Sequence, residues 1–150
     1  MARIRPLPEV CVGCGLCMVW CKVEHSQSRN IYKAFKSGAP ETAACVELEE
    51  EGCRSFAAMC RHCEEPLCVY GCITGAVSKD PDTGIVSIDK TRCVGCWTCV
   101  LMCPNGAVRT DIRDGKTALK CDLCLERGFP SCVEHCPNDA LVLEDTADVG

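Results

Sequence analysis

The sequence has few aromatic residues and no long apolar run, and both absences limit what the chain can be. Phenylalanine, tryptophan and tyrosine make up 5% of its 150 residues. No stretch approaches the roughly 20 apolar residues that a membrane-spanning helix requires. Residues 1–10 lack the apolar segment of a signal peptide. We therefore expect a cytoplasmic protein, although a partner with its own signal could carry it across a membrane.

The sequence also lacks the residue patterns of an organic active site. It contains no recognisable set of serine, histidine and aspartate, no paired carboxylates that can be assigned to a pocket, and no glycine-rich phosphate-binding loop. We therefore expect no catalytic residues.

Cysteine is present in large excess, at 18 of 150 residues. In a reducing compartment, such cysteines bind metal or stay reduced rather than form disulfides. They also supply much of the 47% hydrophobic content, so the conventional core is thin for this length. We infer that inorganic clusters fill the interior and hold the loops, and that the apoprotein is largely unfolded.

Sixteen of the cysteines form four runs. The third run and the proline after it match C-x2-C-x2-C-x3-C-P, which binds a cubane iron–sulfur cluster. The first run has the same spacing, whereas the second widens to two, four and three residues and the fourth to two, seven and three. In chain order the runs are Cys11, Cys14, Cys17 and Cys21; Cys60, Cys63, Cys68 and Cys72; Cys93, Cys96, Cys99 and Cys103; and Cys121, Cys124, Cys132 and Cys136.

The residues that follow three of the runs repeat one another. Cys72 precedes Ile-Thr-Gly-Ala-Val, Cys103 precedes Pro-Asn-Gly-Ala-Val, and Cys136 precedes Pro-Asn-Asp-Ala-Leu. Such an echo indicates an internal repeat. Lys22 and Ile73 replace the proline that often follows the last ligand, which affects the expected helix start rather than ligation.

Zinc is the alternative metal for Cys-x-x-Cys pairs. A zinc site usually joins two such pairs across a dozen or more residues. Here the third and fourth cysteines follow each pair closely, which favours cubane clusters.

Local patterns predict short elements between the runs. A helix is expected for about 15 residues after Cys21, ending near residues 37–40. Arg29, Lys33 and Lys36 would then share one face, either solvated or a docking stripe for an acidic partner. A short strand is expected over residues 55–59, and hairpins are expected to turn at residues 80–84 and 113–116.

Five further residues lie in or near the runs. Cys45 and Cys53 could be extra ligands, but no further cysteines complete a site, so buried free thiols are favoured. His62 and His135 are expected to be satisfied surface or second-shell residues. Trp97 is expected to shield a cluster from water.

The four ordered runs resemble, over nearly the whole chain, the four-cluster ferredoxin-type subunits of the dimethyl-sulfoxide-reductase iron–sulfur subunit family. In that family the second and third runs form a central cluster pair, and the first and fourth form an outer pair. The resemblance implies an α+β fold of two bacterial-ferredoxin-like pseudo-repeats, one inserted in the other, with short β-hairpins and helices around four cubane clusters. Residues 1–150 would form one domain, with the outer pair built from 1–40 and 117–150 and the central pair from 56–116.

The resemblance also implies how the ligands are shared. In two-cluster ferredoxins the fourth cysteine of a run binds the other cluster of the pair. The four implied [4Fe-4S] sites are Cys11, Cys14, Cys17 and Cys136; Cys121, Cys124, Cys132 and Cys21; Cys60, Cys63, Cys68 and Cys103; and Cys93, Cys96, Cys99 and Cys72.

The function implied is the relay of single electrons between a large catalytic subunit and another redox partner, of flavin or ferredoxin type, in an anaerobic oxidoreductase complex. Residues 60–68 and 92–99 look most like the small subunits that serve CO dehydrogenases and tungsten or molybdenum aldehyde oxidoreductases. The alternatives are a subunit of a formate dehydrogenase or hydrogenase, a freely diffusing polyferredoxin, and a non-redox cluster carrier.

The charge of the chain makes nucleic acid an improbable partner. The formal net charge is −5. Sixteen thiolates and four cores of about +2 each would bring it to about −13. A protein with a basic docking face is a better match for so acidic a particle.

The shared ligation generates a first prediction. Changing Cys103→Ser should damage the cluster held mainly by the second run, because Cys103 reaches across to its neighbour. Iron analysis and EPR of the variant, compared with Cys72→Ser, measure this. Loss of the third-run cluster in Cys103→Ser would contradict the exchange of fourth ligands.

Overall fold

The computed structural model describes residues 2–36 and 42–145, and its elements in that part of the chain are short. The longest helix has nine residues. None of the described helices has the length and apolar character needed to cross a membrane. In chain order the elements are β1 Ala2–Pro6, α1 Leu16–Glu24, α2 Ile31–Ala34, β2 Val46–Glu51, β3 Arg54–Met59, α3 Leu67–Tyr70, β4 Val77–Lys79, β5 Val86–Ile88, α4 Thr98–Met102, β6 Arg109–Thr110, β7 Ala118–Leu119, α5 Ser131–Glu134 and β8 Leu141–Asp145.

The strands form antiparallel pairs, one of which joins distant parts of the chain. β1 pairs with β8, so that Ile4 lies opposite Leu143, and the backbone N–H of Leu7 extends this pairing by donating to the carbonyl of Ala140 at 2.8 Å. The pairs β2–β3, β4–β5 and β6–β7 are hairpins between consecutive strands. The fold is therefore a small mixed α/β structure.

Both predicted hairpins are confirmed, and they turn by the same local chemistry. In the β4–β5 turn, the Asp80 carboxylate accepts the backbone N–H of Asp82, and the N–H of Gly84 donates to the Asp80 carbonyl at 2.8 Å. In the β6–β7 turn, Asp111 and Gly115 make the same backbone bond at 2.8 Å. An aspartate that hydrogen-bonds to the backbone two residues on, followed by a glycine, explains both turns.

The long helix expected after Cys21 is wrong, because α1 ends at Glu24. The Ser26 hydroxyl donates to the carbonyl of Val23 at 2.7 Å and accepts the backbone N–H of Arg29 at 3.2 Å. Arg29 itself adopts a left-handed conformation, with φ of 45°. Side chains that bond to the nearby backbone in this way compete with helix hydrogen bonds.

The chain re-enters a helix only at α2, where the Asn30 side chain caps the first turn by accepting the N–H groups of Tyr32 and Lys33. The expected cationic stripe is therefore also wrong, since Arg29 lies outside α2. Its guanidinium instead pairs with Glu126 at 2.6 Å. The expected helix stop at residues 37–40 lies outside the described residues.

Two groups of buried side chains form the core, and cysteines belong to both. The first lies under β1, β3 and β8, and the second lies between the β4–β5 and β6–β7 hairpins. The first contains Ile4, Val46, Met59, Leu141, Cys17, Cys21 and Cys132, and the second contains Val77, Val86, Val108 and Cys99. The apolar core is thus built around sulfur atoms.

Among the glycines of the cysteine runs, Gly95 lies closest to the backbone of another segment. Its φ of +69° is left-handed, and a Cβ added there would lie 2.1 Å from the carbonyl oxygen of Lys116. No Cβ atom tolerates that distance, so glycine allows the third run to pack against the β6–β7 hairpin.

This contact predicts different effects for two glycine substitutions. Gly95→Ala should lower the free energy of unfolding by about 3 kcal/mol or more, because the backbone at Lys116 must move. The control is Gly115→Ala, whose φ of +61° is similar but whose Cβ would meet nothing within 4 Å. Gly115→Ala should lower the free energy of unfolding only by the cost of a side chain in the left-handed conformation, about 1–2 kcal/mol.

The measurement is the apparent Tm of the anaerobically purified proteins, followed by loss of cluster absorbance at one scan rate. Equal Tm values for the two variants would contradict the steric explanation.

Candidate metal centres

One cavity is lined by four cysteines from opposite parts of the chain. Cys11, Cys14 and Cys17 of the first run face Cys136, the last cysteine of the fourth. Burial, followed by repulsion from those neighbouring thiolates, raises the pKa of Cys17 to about 11. The pairing of β1 with β8 and the packing of α1 on α5 bring the two segments together.

A second cavity has the same composition. It is lined by Cys60, Cys63, Cys68 and Cys103, with Val86 and Val108 among its apolar walls. Burial raises the pKa of Cys68 to about 11, and repulsion from Cys60 and Cys103 adds to this effect.

The other eight cysteines of the runs also form two neighbourhoods. Burial raises the pKa of Cys132, and the thiolates of Cys21 and Cys124 raise it further. Burial also raises the pKa of Cys121, and repulsion from Cys21 and Cys132 adds to this effect. Repulsion from the thiolates of Cys93 and Cys72 adds to the effect of burial in raising the pKa of Cys99. Cys72 exerts the same kind of repulsion on Cys96. All four neighbourhoods correspond to the expected ligand sets, although ligation itself stays a prediction.

Backbone N–H groups point at the last sulfur of three runs. The N–H of Val77 lies 3.4 Å from Cys72 Sγ, that of Ala107 lies 3.4 Å from Cys103 Sγ, and that of Ala140 lies 3.2 Å from Cys136 Sγ. These donors belong to the repeated stretches that follow the runs. Hydrogen bonds to sulfur favour the thiolate form, which is the form that binds iron. The donor set of thiols and amides therefore fits cubane iron–sulfur clusters.

The first run obtains its N–H donor from elsewhere. The backbone N–H of Cys45 lies 3.2 Å from Cys21 Sγ. The Cys45 thiol also hydrogen-bonds to Cys21, and this bond is the largest cause of a lowered pKa at Cys21 and a raised pKa at Cys45. Cys45 therefore donates to the sulfur of an expected ligand.

The expectation for the two surplus cysteines is right for Cys45 and wrong for Cys53. Cys45 is 2% exposed, as expected for a buried thiol. Cys53 is exposed, because it follows Gly52 at the tip of the β2–β3 hairpin, beyond the packed part of that sheet. The contact between Cys45 and Cys21 had no signal in the sequence, since the two residues lie in different segments.

His25 is a second functional candidate that the sequence did not indicate. Its Nδ1–H donates to the Cys21 carbonyl at 2.9 Å, and its Nε2–H donates to Asp122 Oδ1 at 3.2 Å. The bond to Asp122 is the main reason that the pKa of His25 rises to about 11. An imidazolium therefore lies beside Cys21.

The two histidines singled out in the sequence occupy different environments. His62 is buried, and its Nδ1 accepts the backbone N–H of Val86 at 3.0 Å. Burial is the main reason that its pKa falls to about 3, so the ring is neutral. His135 stacks on Trp20 with ring centroids 3.6 Å apart, and its Nδ1–H donates to the Ser131 carbonyl. Shielding by Trp97 stays a prediction.

Comparison with protein families and curated proteins gives consistent matches. Residues 51–146, which contain the second, third and fourth runs, match the family model of a 4Fe-4S dicluster domain. Electron transport protein HydN of Escherichia coli K12 is 36% identical over 151 residues, covering 90% of this chain and 83% of HydN. A sulfite dehydrogenase subunit of Allochromatium vinosum is 34% identical over 161 residues, covering 93% of this chain and 67% of that protein. Hydrogenase-2 operon protein HybA of Escherichia coli O157:H7 is 33% identical over 161 residues, covering 89% of this chain and 48% of HybA.

The contact between Cys45 and Cys21 predicts a change in redox potential. Cys45→Ala removes the S–H donor, and the reduction potential of the cluster bound by Cys21 should fall by about 40 mV. That figure takes the hydrogen bond as about 1 kcal/mol and a tenfold change as about 59 mV for one electron.

Cys45→Ser, which keeps an O–H donor, should shift the potential less, and Cys53→Ala should leave it unchanged. EPR-monitored redox titration measures all three. An unchanged potential in Cys45→Ala would show that the thiol does not act on the cluster.

Proposed function

The chain belongs to the 4Fe-4S dicluster domain family of ferredoxin-type proteins, and from that membership we propose that it is the electron-transfer subunit of an oxidoreductase complex. Its 18 cysteines are enough for four [4Fe-4S] clusters. It is an iron–sulfur electron-transfer protein related to HydN, HybA and the sulfite dehydrogenase subunit. The proposed role is to pass single electrons between a catalytic subunit and a second redox partner.

The observation that carries the proposal is the gathering of sixteen cysteines into four neighbourhoods. We assign one cluster to each. The sites are Cys11, Cys14, Cys17 and Cys136; Cys21, Cys121, Cys124 and Cys132; Cys60, Cys63, Cys68 and Cys103; and Cys72, Cys93, Cys96 and Cys99. Each set takes three cysteines from one run and the last cysteine of another.

The strand pairing supports the proposed arrangement of two pseudo-repeats. β1 and β8 pair with each other, and each lies in one of the two segments assigned to the outer pair, residues 1–40 and 117–150. The β4–β5 and β6–β7 hairpins lie in or beside residues 56–116, which we assign to the central pair. In this proposed arrangement one repeat is inserted in the other within a single domain.

The clusters, when bound, supply the one-electron chemistry, and the protein controls their environment. Apolar residues such as Val86 and Val108 exclude water from the second cavity. Backbone N–H groups and the Cys45 thiol donate to sulfur, which stabilises the extra negative charge of a reduced cluster. The proposed role requires no organic active site.

Exposed apolar residues near the third run favour a tightly bound subunit over a freely diffusing polyferredoxin. Tyr70 ends α3, Ile73 follows Cys72, and Leu101 lies on α4, which packs on α3. All three are exposed, and so is the nearby expected ligand Cys96. Exposed apolar surface of this kind is typical of a protein interface.

For the catalytic partner, the resemblance of residues 60–68 and 92–99 favours a CO dehydrogenase or a tungsten or molybdenum aldehyde oxidoreductase. The names of the relatives add sulfite dehydrogenase to the candidates and favour hydrogenase among the alternatives already named. The second partner is proposed to be a flavin or ferredoxin-type protein.

Native anaerobic purification tests this function. The chain should co-purify with a large catalytic subunit in a fixed ratio, and dithionite should produce EPR signals of several reduced clusters that the partner reoxidises. Recovery only as a free monomer would favour the diffusing polyferredoxin, and clusters that cannot be reduced would favour a cluster carrier.

Two surface variants sharpen the test of the interface. Leu101→Glu should reduce recovery of the catalytic subunit at least tenfold, because it places a charge among the exposed apolar residues. Tyr32→Glu is the matched control, since Tyr32 and Leu101 are both 85% exposed but Tyr32 lies on α2. Equal recovery with both variants would place the interface elsewhere.

A further inference from the structure

Lys120 is a buried cation with no anionic side-chain partner in the described part of the chain. Its side chain is among the most enclosed charged groups, with 6% of the residue exposed. The ammonium donates to the backbone carbonyls of Val86 and Cys121, the latter at 2.8 Å. No carboxylate among the described residues lies within ion-pair distance of it. A buried charge without a counter-charge is costly, so its position needs an explanation.

The ammonium lies between two of the cysteine neighbourhoods. On one side, Cys121 belongs to the outer set with Cys21, Cys124 and Cys132. On the other side, Val86 lines the cavity of Cys60, Cys63, Cys68 and Cys103.

The same contacts form a continuous polar connection between the sets. Lys120 donates to the carbonyl of Val86, and the N–H of Val86 donates to His62 Nδ1 at 3.0 Å. His62 stands between Cys60 and Cys63, and its backbone N–H is directed at Cys60 Sγ at 3.5 Å. Lys120 is thus tied to both neighbourhoods by backbone groups that fix its position.

We propose that Lys120 is the counter-charge shared by one central and one outer cluster, and that it raises the reduction potential of both, so that electrons cross between the two cluster pairs at this point. The inference rests on the proposed function and on its ligand sets. A cluster becomes more negative when it accepts an electron, and a fixed positive charge in a poorly hydrated site stabilises that state. The electron leaves one cluster and enters the other, and no bond is made or broken at Lys120.

Redox titration of charge-removing variants tests the proposal. Lys120→Met removes the charge and keeps the length of the side chain, and Lys120→Gln removes the charge but retains an N–H donor for a carbonyl. In both, the ratio of reduced to oxidised cluster at a given potential should fall at least tenfold for two of the four clusters. For a one-electron couple that equals a downward shift of about 59 mV. In Lys120→Arg, which keeps the charge, this ratio should change less than threefold for both clusters.

Lys79→Met is the matched control. The Lys79 ammonium also donates to two backbone carbonyls, those of Cys63 at 3.1 Å and Glu64 at 2.9 Å. It is only half-buried and contacts one cysteine set rather than two. Solvent screens its charge, so its removal should shift one potential at most, and by less than the Lys120 variants do.

The titrations use the intact, anaerobically purified protein, with iron content measured first and EPR as the readout. Unchanged potentials in Lys120→Met and Lys120→Gln at full iron content would overturn the proposal, as would an equal shift of all four clusters. Failure of both neutral variants to hold iron would also overturn it, in favour of a structural role. Failure of the proposed function is separate, because the unaltered protein would then be recovered only as a free monomer or would show no reducible clusters.

Discussion

Four ionised sulfur atoms in one small cavity repel one another, and the rest of this structure depends on how that repulsion is relieved. Burial and neighbouring thiolates together raise the pKa of Cys17 and of Cys68 to about 11. Without a compensating cation these two thiols therefore stay protonated at neutral pH. Iron supplies that positive charge, and its binding free energy becomes folding free energy. This coupling explains how a chain with so few aromatic residues can hold its loops in place.

The backbone supplies the tight turns and the N–H donors that place the sulfur atoms around each cavity. Left-handed residues such as Gly95 and Trp97 turn the loops tightly enough for several sulfurs to face one cavity. The N–H groups of Val77, Ala107 and Ala140 then point at the last sulfur of three runs. Hairpins that turn at Asp80 and Asp111 connect these loops with few residues. Short local motifs thereby replace the large apolar core that a protein of this length would otherwise need.

Local chemistry also explains which features could be predicted from the sequence. The runs and both hairpins depend on neighbouring residues, so spacing and turn residues were sufficient to predict them. The helix after Cys21 was predicted from a pattern that ignored the Ser26 hydroxyl and the left-handed Arg29. The environments of Cys45 and Lys120 depend on residues 24 and 34 positions away, Cys21 and Val86 respectively. No single-sequence pattern contains such contacts.

These long-range contacts are not spread evenly over the four proposed sites. Three groups contact residues of one outer set, which consists of Cys21, Cys121, Cys124 and Cys132. They are the Cys45 thiol, the His25–Asp122 pair and the Lys120 ammonium. The other outer set, around Cys11, has no buried cation in the described residues. Because donors and positive charge stabilise a reduced cluster, the two outer sites cannot be electrostatically equivalent. In the proposed arrangement, the outer site beside Lys120 would therefore have the higher reduction potential of the two. In the proposed relay, this asymmetry comes from side chains outside the cysteine runs.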